Sequence, residues 1–266
     1  MKLRIRHVTR YQFDDPVKYG LQQVRKTPKS SHQQNVLSWS TDVKGGRKEL
    51  AYEDHHNNTV ELLSIDKNAE LLLVTSEGEV DITQTDGVIG RHLGPSPLWL
   101  YKRGTEYTKA GAGVRALVHE TDPKAPDLQR LHELMAQIRK AVAYQTGSSD
   151  PAWGAEEVIN HGQGVCQDHA HVALSCTREM GYPARYVSGY LMLNETIEQD
   201  AMHAWVEVHV HGLGWVGFDV SNGISPDERY VRVATGLDYG DAAPVTGSRV
   251  GGAGEALSVQ IEVAQQ

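Results

Sequence analysis

The 266-residue sequence predicts an α+β fold preceded by an all-β N-terminal domain. Short strand-like runs alternate with turn signals over residues 1–90, whereas helical patterns followed by strand patterns occupy 127–243. Helices followed by a run of strands are typical of an antiparallel sheet with helices packed on it. Residues 91–126 are predicted to connect the two parts. Residues 244–266 are predicted to form a glycine-rich surface loop and a final strand.

The N-terminal strands are predicted from apolar and polar alternation between turn signals. Turns are expected at Lys44-Gly45-Gly46 and at His56-Asn57-Asn58. The predicted strands include Leu3–Val8, Val36–Asp42, Thr59–Ile65, Glu70–Thr75 and Gly78–Thr83. We expect this domain to pack against the second part or to frame a substrate.

Three helices and three strands are predicted in the second part. Apolar residues recur at helical spacing after Asp127, which is expected to be the N-cap of the first helix. A glycine, Gly181, is expected to end the third helix in the left-handed conformation. The predicted helices are 127–142, Ala155–Asn160 and Cys166–Met180, and the predicted strands are Ala184–Leu193, His203–Val210 and Trp215–Val220.

Composition disfavours several classes of protein. A net charge of -8 opposes phosphate binding, so no nucleic-acid partner is expected. The opening MKLRIRHVTRYQF lacks the apolar segment of a signal peptide, and no apolar run is about 18 residues long. Ten helical residues would separate Cys166 and Cys176 by about 15 Å, which is too far for a disulfide. We therefore expect a cytoplasmic protein with reduced thiols and no membrane partner.

A nucleophile is predicted at Cys166, which follows the paired glycines of Gly162-Gln163-Gly164 and opens a helix. Helix N-termini carry partial positive charge and unpaired N–H groups, which favour a thiolate and can face a developing oxyanion. A buried and inert thiol is the alternative interpretation of any cysteine. Cys176 fits that alternative, because it lies deep in the same predicted helix.

The histidine and carboxylate that a thiolate nucleophile needs are predicted in one hairpin. If the pairing is centred on His211, His203 falls opposite Asp219, and cross-strand partners are about 5 Å apart at Cβ. The same alternation puts one set of residues on an apolar face and His203 and Asp219 on the other. The apolar set is Ala204, Val206, Val208, Val216, Phe218 and Val220.

These motifs together resemble the bacterial transglutaminase-like family. The resemblance is carried by Gly-Val-Cys-Gln-Asp at 164–168, Tyr-Pro-Ala-Arg-Tyr-Val-Ser-Gly-Tyr at 182–190, His-Ala-Trp-Val-Glu-Val at 203–208 and Gly-Trp-Val-Gly-Phe-Asp at 214–219. It extends to His-Val-Thr-Arg-Tyr at 7–11, the Gln33 region and the C-terminal loop and strand. It implies a papain-like core with Cys166 as nucleophile, His203 as base and Asp219 as the residue that orients the base.

Supporting roles are predicted for three further residues. Gln167 is a candidate oxyanion donor or helix cap, Trp205 a shield or packing partner for the imidazole, and Asn222 an accompanying polar group. Asp168 is expected to complement the helix dipole. The family commonly has an aromatic residue where His169 stands and Asp-Pro-Thr-Asn where this chain has Asp-Val-Ser-Asn at 219–222. The first departure predicts an altered pocket near the nucleophile.

The predicted reaction is acyl transfer from an amide or peptide bond through a thioester, with either water or an amine as acceptor. A peptide or protein amide is the expected substrate, and the chemistry needs no cofactor. A metal site is one alternative, since Cys166 and His169 are one helical turn apart; the histidine spacing, however, matches no compact zinc motif. A transglutaminase-like scaffold without activity is the other.

Overall fold

The computed structural model, which describes residues 1–266, consists mainly of two antiparallel sheets and a group of helices. The strands are β1 (Lys2–Val24), β2 (Gln34–Lys44), β3 (Gly46–Glu53), β4 (Thr59–Ile65), β5 (Ala69–Ile82), β6 (Val88–Gly90), β7 (Ala143–Tyr144), β8 (Gln163–Gly164), β9 (Ala184–Leu191), β10 (Glu198–Gln199), β11 (His203–Val210), β12 (Gly214–Phe218), β13 (Tyr230–Gly236), β14 (Val245–Gly251) and β15 (Glu255–Gln265). The helices are α1 (Ala112–His119), α2 (Asp127–Ala141), α3 (Ala155–His161), α4 (Cys166–Glu179) and α5 (Tyr239–Ala242), with a short 3-10 helix over Leu98–Lys102. The predicted α+β class is confirmed.

The first sheet is organised around β1, which pairs with β4, β5, β14 and β15. Two sequence predictions about its strands are wrong. The strand predicted over Leu3–Val8 is present but its predicted end is wrong, because β1 continues to Val24 through a register shift between Gln12 and Val17. The predicted break before Gly78 is absent, and β5 is continuous through it. A Cβ on Gly78 would lie 2.1 Å from the Ser38 carbonyl oxygen, so this glycine permits close strand packing.

The C-terminal segment completes the first sheet. The prediction of a surface loop over 244–254 is wrong, because β14 pairs with β1 from Val24↔Val245 to Val17↔Gly251. The glycines of this segment suggested a loop. In the structure, Gly247 instead allows close packing against β1, because a Cβ there would lie 2.4 Å from the Leu21 carbonyl oxygen. The final strand β15 pairs with the beginning of β1.

The second sheet has the strand order β13-β9-β11-β12-β6 and supports the site. One face is apolar and packs against α4 and its neighbouring helices, with Val206, Val208 and Phe218 in the main core. Hydrogen bonds join this sheet to the N-terminal region. They include Gln34 Nε2 to the Arg232 carbonyl at 2.8 Å and Asn58 Nδ2 to the Thr235 carbonyl at 2.7 Å. Segments of the N-terminal region therefore pack against the second sheet.

The β11–β12 hairpin has a different register from the one predicted. Val206 lies opposite Phe218 and Val210 opposite Gly214, so the hairpin is centred on Gly212 and not on His211. The direct pairing of His203 with Asp219 is therefore wrong, because Asp219 follows the end of β12. Gly212 has φ +82° and occupies a three-residue connection between the paired strands. The register is displaced by two residues, which preserves the predicted faces because side chains alternate with period two.

The helices also differ from prediction in detail. Asp127 is the first residue of α2, not its N-cap, and its carboxylate accepts a hydrogen bond from Tyr182 Oη at 2.6 Å. Gly181 follows α4 with φ +90°, as predicted for the end of that helix. No helix combines the length and apolar character that crossing a bilayer requires.

Candidate active site

Cys166 is the first residue of α4 and is partly exposed. Two glycines precede Cys166, and the first of them, Gly162, ends α3 in the left-handed conformation with φ +68°. A Cβ on Gly164 would lie 2.7 Å from Asp168 Oδ2. The Asp168 carboxylate accepts a hydrogen bond from the Val165 backbone N–H at 2.7 Å, which caps the helix. The first-turn N–H groups beside Cys166 have no partner inside the helix, so they can face a substrate oxygen.

His203 and Asp219 are in direct contact despite the displaced register. The distance from His203 Nε2 to Asp219 Oδ2 is 2.6 Å, and the Asp219 side chain is fully buried. Because the buried carboxylate accepts the proton on Nε2, Nδ1 is the ring nitrogen available to Cys166. Cys166 and His203 line the same cavity. The structure thus brings together the three residues that the sequence predicts as a triad.

Asp219 is held by three donors that converge on one oxygen. In addition to His203, Tyr230 Oη and Asn222 Nδ2 each donate to Oδ2 at 2.7 Å. The Asn222 backbone N–H donates to Oδ1 at 3.2 Å. Tyr230 was not predicted from sequence, because it lies on β13 and reaches Asp219 only through the fold. Its sequence neighbours contain no signal for this contact.

The charges of this cluster stabilise one another. Burial lowers the pKa of His203, but hydrogen bonds to Asp219 and Cys166, together with their negative charges, outweigh burial and raise it to about 10. Burial raises the pKa of Asp219, but its hydrogen bonds to His203, Tyr230 and Asn222 and the charge of His203 bring it below its usual value. The arrangement favours the imidazolium form of His203 beside the Asp219 carboxylate.

Trp205 supports the imidazole from within β11. Its ring lies nearly parallel to that of His203, with 6.2 Å between centroids and 27° between planes, and it meets Tyr230 edge-on. Gly189 on β9 makes room for it, because a Cβ there would lie 2.5 Å from the indole ring. Trp205 is buried, so it limits water access to one side of His203.

Gln167 and Cys166 line a cavity of about 300 Å³. Gln167 thus lies beside Cys166, at the N-terminal end of α4 where N–H groups are unpaired. Cys176 lies elsewhere: it is fully buried, and burial raises the pKa of its thiol to about 12.

His169 does not line this cavity, although the sequence predicted an altered pocket there. Its Nε2 donates to the Val142 carbonyl at 2.9 Å, so Nδ1 accepts from the Ser221 hydroxyl at 2.9 Å. The two departures from the family pattern, at His169 and at Val220-Ser221, are therefore in contact. This hydrogen bond joins α4 to the loop that follows Asp219. Both nitrogens of His169 have partners within the protein.

Tyr230→Phe tests the hydrogen bond to Asp219. We expect it to lower the free energy of unfolding at neutral pH by about 1.5–3 kcal/mol, the range for bonds to charged groups. The hydrogen bond lowers the folded-state pKa of Asp219, so its contribution is present above the unfolded pKa of about 3.9 and is lost as the pH falls through the folded value. Denaturant unfolding near pH 7 and below pH 4 measures both effects.

Tyr182→Phe is the matched control for Tyr230→Phe. It removes another Tyr–Asp hydrogen bond, to Asp127, from a residue that follows the opposite end of α4 from Cys166. We expect only Tyr230→Phe to slow acylation of Cys166. Equal slowing in both variants would contradict the role of Tyr230 in holding Asp219.

Comparisons with known proteins agree with this architecture. Residues 3–81 match the bacterial transglutaminase-like N-terminal region, and residues 115–220 match the transglutaminase-like superfamily. An uncharacterised protein of Mycobacterium leprae is 25% identical, over 98% of each chain, and one of Mycobacterium tuberculosis is 27% identical over 92% of this chain and 87% of its own. The crystal structure of a Cytophaga hutchinsonii protein, named as a candidate cysteine protease, superposes with a TM-score of 0.81 at 20% identity, covering 100% of this chain and 91% of the other. The chain therefore belongs to the transglutaminase-like superfamily, with the N-terminal region of its bacterial members.

Proposed function

We propose that this protein transfers the acyl group of an amide or peptide bond to water through a Cys166 thioester, with an amine as an alternative acceptor. The observation that carries the proposal is that His203, whose Nε2 lies 2.6 Å from Asp219 Oδ2, lines a cavity together with Cys166. Membership of the superfamily is consistent with this chemistry.

In the first step, the Cys166 thiolate attacks the amide carbonyl carbon. In this proposal, first-turn N–H groups of α4 or the Gln167 side chain, which lines the same cavity, donate to the oxyanion. The His203 imidazolium then gives its proton to the leaving nitrogen, the C–N bond breaks, and a thioester and a free amine result. Asp219 holds the ring orientation and stabilises its positive charge.

In the second step, neutral His203 takes a proton from water as the water oxygen attacks the thioester. The C–S bond breaks, which releases a carboxylic acid and restores the thiolate. An amine in place of water would give a new amide. Competition between water and an added primary amine, followed by mass spectrometry of the products, distinguishes the two acceptors.

We keep the cytoplasm as the proposed compartment and a peptide or protein amide as the proposed substrate. Both cysteines are free, and the nucleophile must remain a thiolate to act. The acidic net charge supports neither a nucleic-acid nor a membrane partner.

Brief alkylation tests the nucleophile. We expect iodoacetamide near neutral pH to modify Cys166 rapidly and to leave Cys176 unmodified, because Cys166 is accessible beside an imidazolium whereas Cys176 is buried and its pKa is about 12. Peptide mass spectrometry of the native protein after short exposure measures both sites.

Cys166→Ala is the control, and it should remove the fast-reacting site and the acyl-enzyme adduct formed with activated amides. Preferential modification of Cys176 would contradict the assignment. Slow reaction of Cys166, at the rate of a free thiol, would favour the scaffold alternative. Activity that is lost in EDTA and restored by zinc would favour a metal site.

A further inference from the structure

The N-terminal region forms one wall of the cavity that contains the nucleophile. Cys166, Gln167 and His203 contribute the side that carries the chemistry, whereas His7, Thr9 and Lys26 come from β1 and the residue stretch after it. The cavity of about 300 Å³ is suited to a small part of a substrate. A group bound in this cavity would therefore contact residues of both sheets.

Lys26 is a buried cation in this wall. Its side chain is fully buried although the residue lines the cavity, and its ammonium donates to the Thr9 hydroxyl. No carboxylate oxygen lies within 4.0 Å of it, and the nearby Glu61 carboxylate is paired instead with Lys48 at 2.9 Å. An ammonium has three donors and is costly to bury without a counter-ion. Lys26 therefore has unused capacity for an anion.

None of the groups around Lys26 forms an ion pair with its ammonium. His7 contacts the Thr9 hydroxyl at 3.2 Å, and its own pKa is held well below the usual value by burial and by the charge of Lys26. Burial lowers the pKa of Lys26 to about 7, and the charge of Glu61 opposes this only in part. Burial disfavours the charged form of a lysine that has no counter-ion. An anion that binds beside the ammonium would stabilise that charged form.

Among the residues that line the cavity, Lys26 is the one lysine or arginine, and Asp200 is the one carboxylate. Asp200 is exposed, so water and salt screen its charge, whereas Lys26 acts in a less polar environment. Apolar side chains, including Met202, Val245 and Val259, line the remaining walls. This combination fits a short alkyl chain that ends in a carboxylate.

We propose that Lys26 binds a carboxylate of the substrate, so that the amide processed at Cys166 belongs to an acidic peptide. This inference rests on the proposed function, because it identifies the substrate class of the same site. The carboxylate is either the side-chain carboxylate of an acidic residue or the terminal carboxylate of the chain. In both cases it occupies the cavity that Lys26 and Cys166 both line.

Three matched alkylating probes test the inference without a known substrate. N-bromoacetylglutamine has a free α-carboxylate, N-bromoacetylisoglutamine has a free γ-carboxylate, and the corresponding diamide is neutral. The rate at which each modifies Cys166 is measured at about pH 6, where Lys26 is charged. The ratio of the acid rate to the diamide rate measures how strongly the protein attracts the carboxylate. The intrinsic reactivity of the Cys166 thiol affects both rates equally and therefore cancels.

We expect one of the two acids to show a high ratio in the wild-type protein. This ratio should fall about tenfold in Lys26→Met, as expected for loss of one buried charge interaction. The identity of that acid distinguishes a terminal from a side-chain carboxylate. Lys26→Arg should retain most of the preference. Lys29→Met, which removes a lysine on the same segment that pairs with Glu53 at 2.5 Å, should leave the ratio unchanged.

Because His203 also attracts anions, a high ratio of acid rate to diamide rate in the wild-type protein does not by itself identify Lys26 as the binding residue. The test is the change in this ratio between the wild-type protein and Lys26→Met. Ratios that are equal in wild type and folded Lys26→Met, while Cys166 still reacts rapidly, would overturn the role of Lys26 and leave the proposed function standing. Failure of all three probes and of iodoacetamide to modify Cys166 would overturn the proposed function and this inference together. Circular dichroism and thermal unfolding establish that each variant is folded.

Discussion

Asp219→Asn should lower the rate of Cys166 acylation by about 10⁴-fold, the loss seen when a triad loses its orienting carboxylate. The negative charge at Asp219 favours the imidazolium form of His203 and fixes the proton on Nε2. A neutral amide would stabilise the imidazolium far less. The variant should therefore contain less of the thiolate–imidazolium pair that reacts.

The fold of Asp219→Asn should be retained. Three donors converge on Oδ2, whereas Oδ1 accepts only from the Asn222 backbone N–H at 3.2 Å. An asparagine with its amide oxygen at the Oδ2 position preserves the three contacts and loses the weaker one. The chemical effect should thus be much larger than the structural effect, which a crystal structure of the variant would test.

The pH dependence of stability provides a second measurement. His203 has a folded-state pKa raised to about 10, so its contribution is complete below the unfolded pKa of about 6.5 and is lost as the pH rises through about 10. The contribution of Asp219 is present above about pH 3.9 and is lost as the pH falls through its lower folded-state pKa. The stability difference between wild type and Asp219→Asn should therefore be greatest between about pH 4 and 6.5.

Asp227→Asn is the matched control, since it makes the same substitution at a partly exposed carboxylate that pairs with Arg229 near the same loop. It should acylate at close to the wild-type rate. Wild-type acylation by Asp219→Asn would show that the orienting carboxylate has been misassigned.

Glu207→Gln should lower the free energy of unfolding by about 3–5 kcal/mol, which is the cost of leaving buried charges unpaired. Glu207 accepts from Arg185 at 2.6 Å and from Arg232 at 2.8 Å, and only 1% of its side chain is exposed. Burial raises the pKa of Glu207, but the charges and hydrogen bonds of the two arginines bring it below its usual value. Arg185 also lies over the Trp215 ring, with its Cζ 4.0 Å from the ring centroid.

Denaturant unfolding of Glu207→Gln and Glu77→Gln measures this effect. Glu77 pairs with Arg6 at the surface, where 48% of its side chain is exposed, and its loss should cost about 1 kcal/mol or less. Comparable destabilisation in the two variants would contradict a buried ionic cluster. Glu207→Gln should alter acylation at Cys166 much less than Asp219→Asn, because Glu207 contacts arginines and not His203.

The hairpin illustrates which parts of the site were accessible from sequence. Alternation in β11 and β12 predicted correctly that His203 and Asp219 share a face and that Val206, Val208 and Phe218 face the core. The same alternation is unchanged by a shift of two residues, so it could not determine the register. That was decided by the three-residue connection around Gly212 and by the pairing of β11 with β9.

Local patterns by themselves determined the α+β class, the helix that opens at Cys166 and the faces of the strands, because periodicity and helix-end signals depend only on neighbouring residues. The tertiary structure decided that the glycine-rich segment 244–254 contains strand β14, that Tyr230 donates to Asp219 and that Glu207 binds two arginines. It also brought Lys26 into the cavity of Cys166. These contacts join residues that are far apart in the chain and depend on how the two sheets pack, which no local pattern encodes.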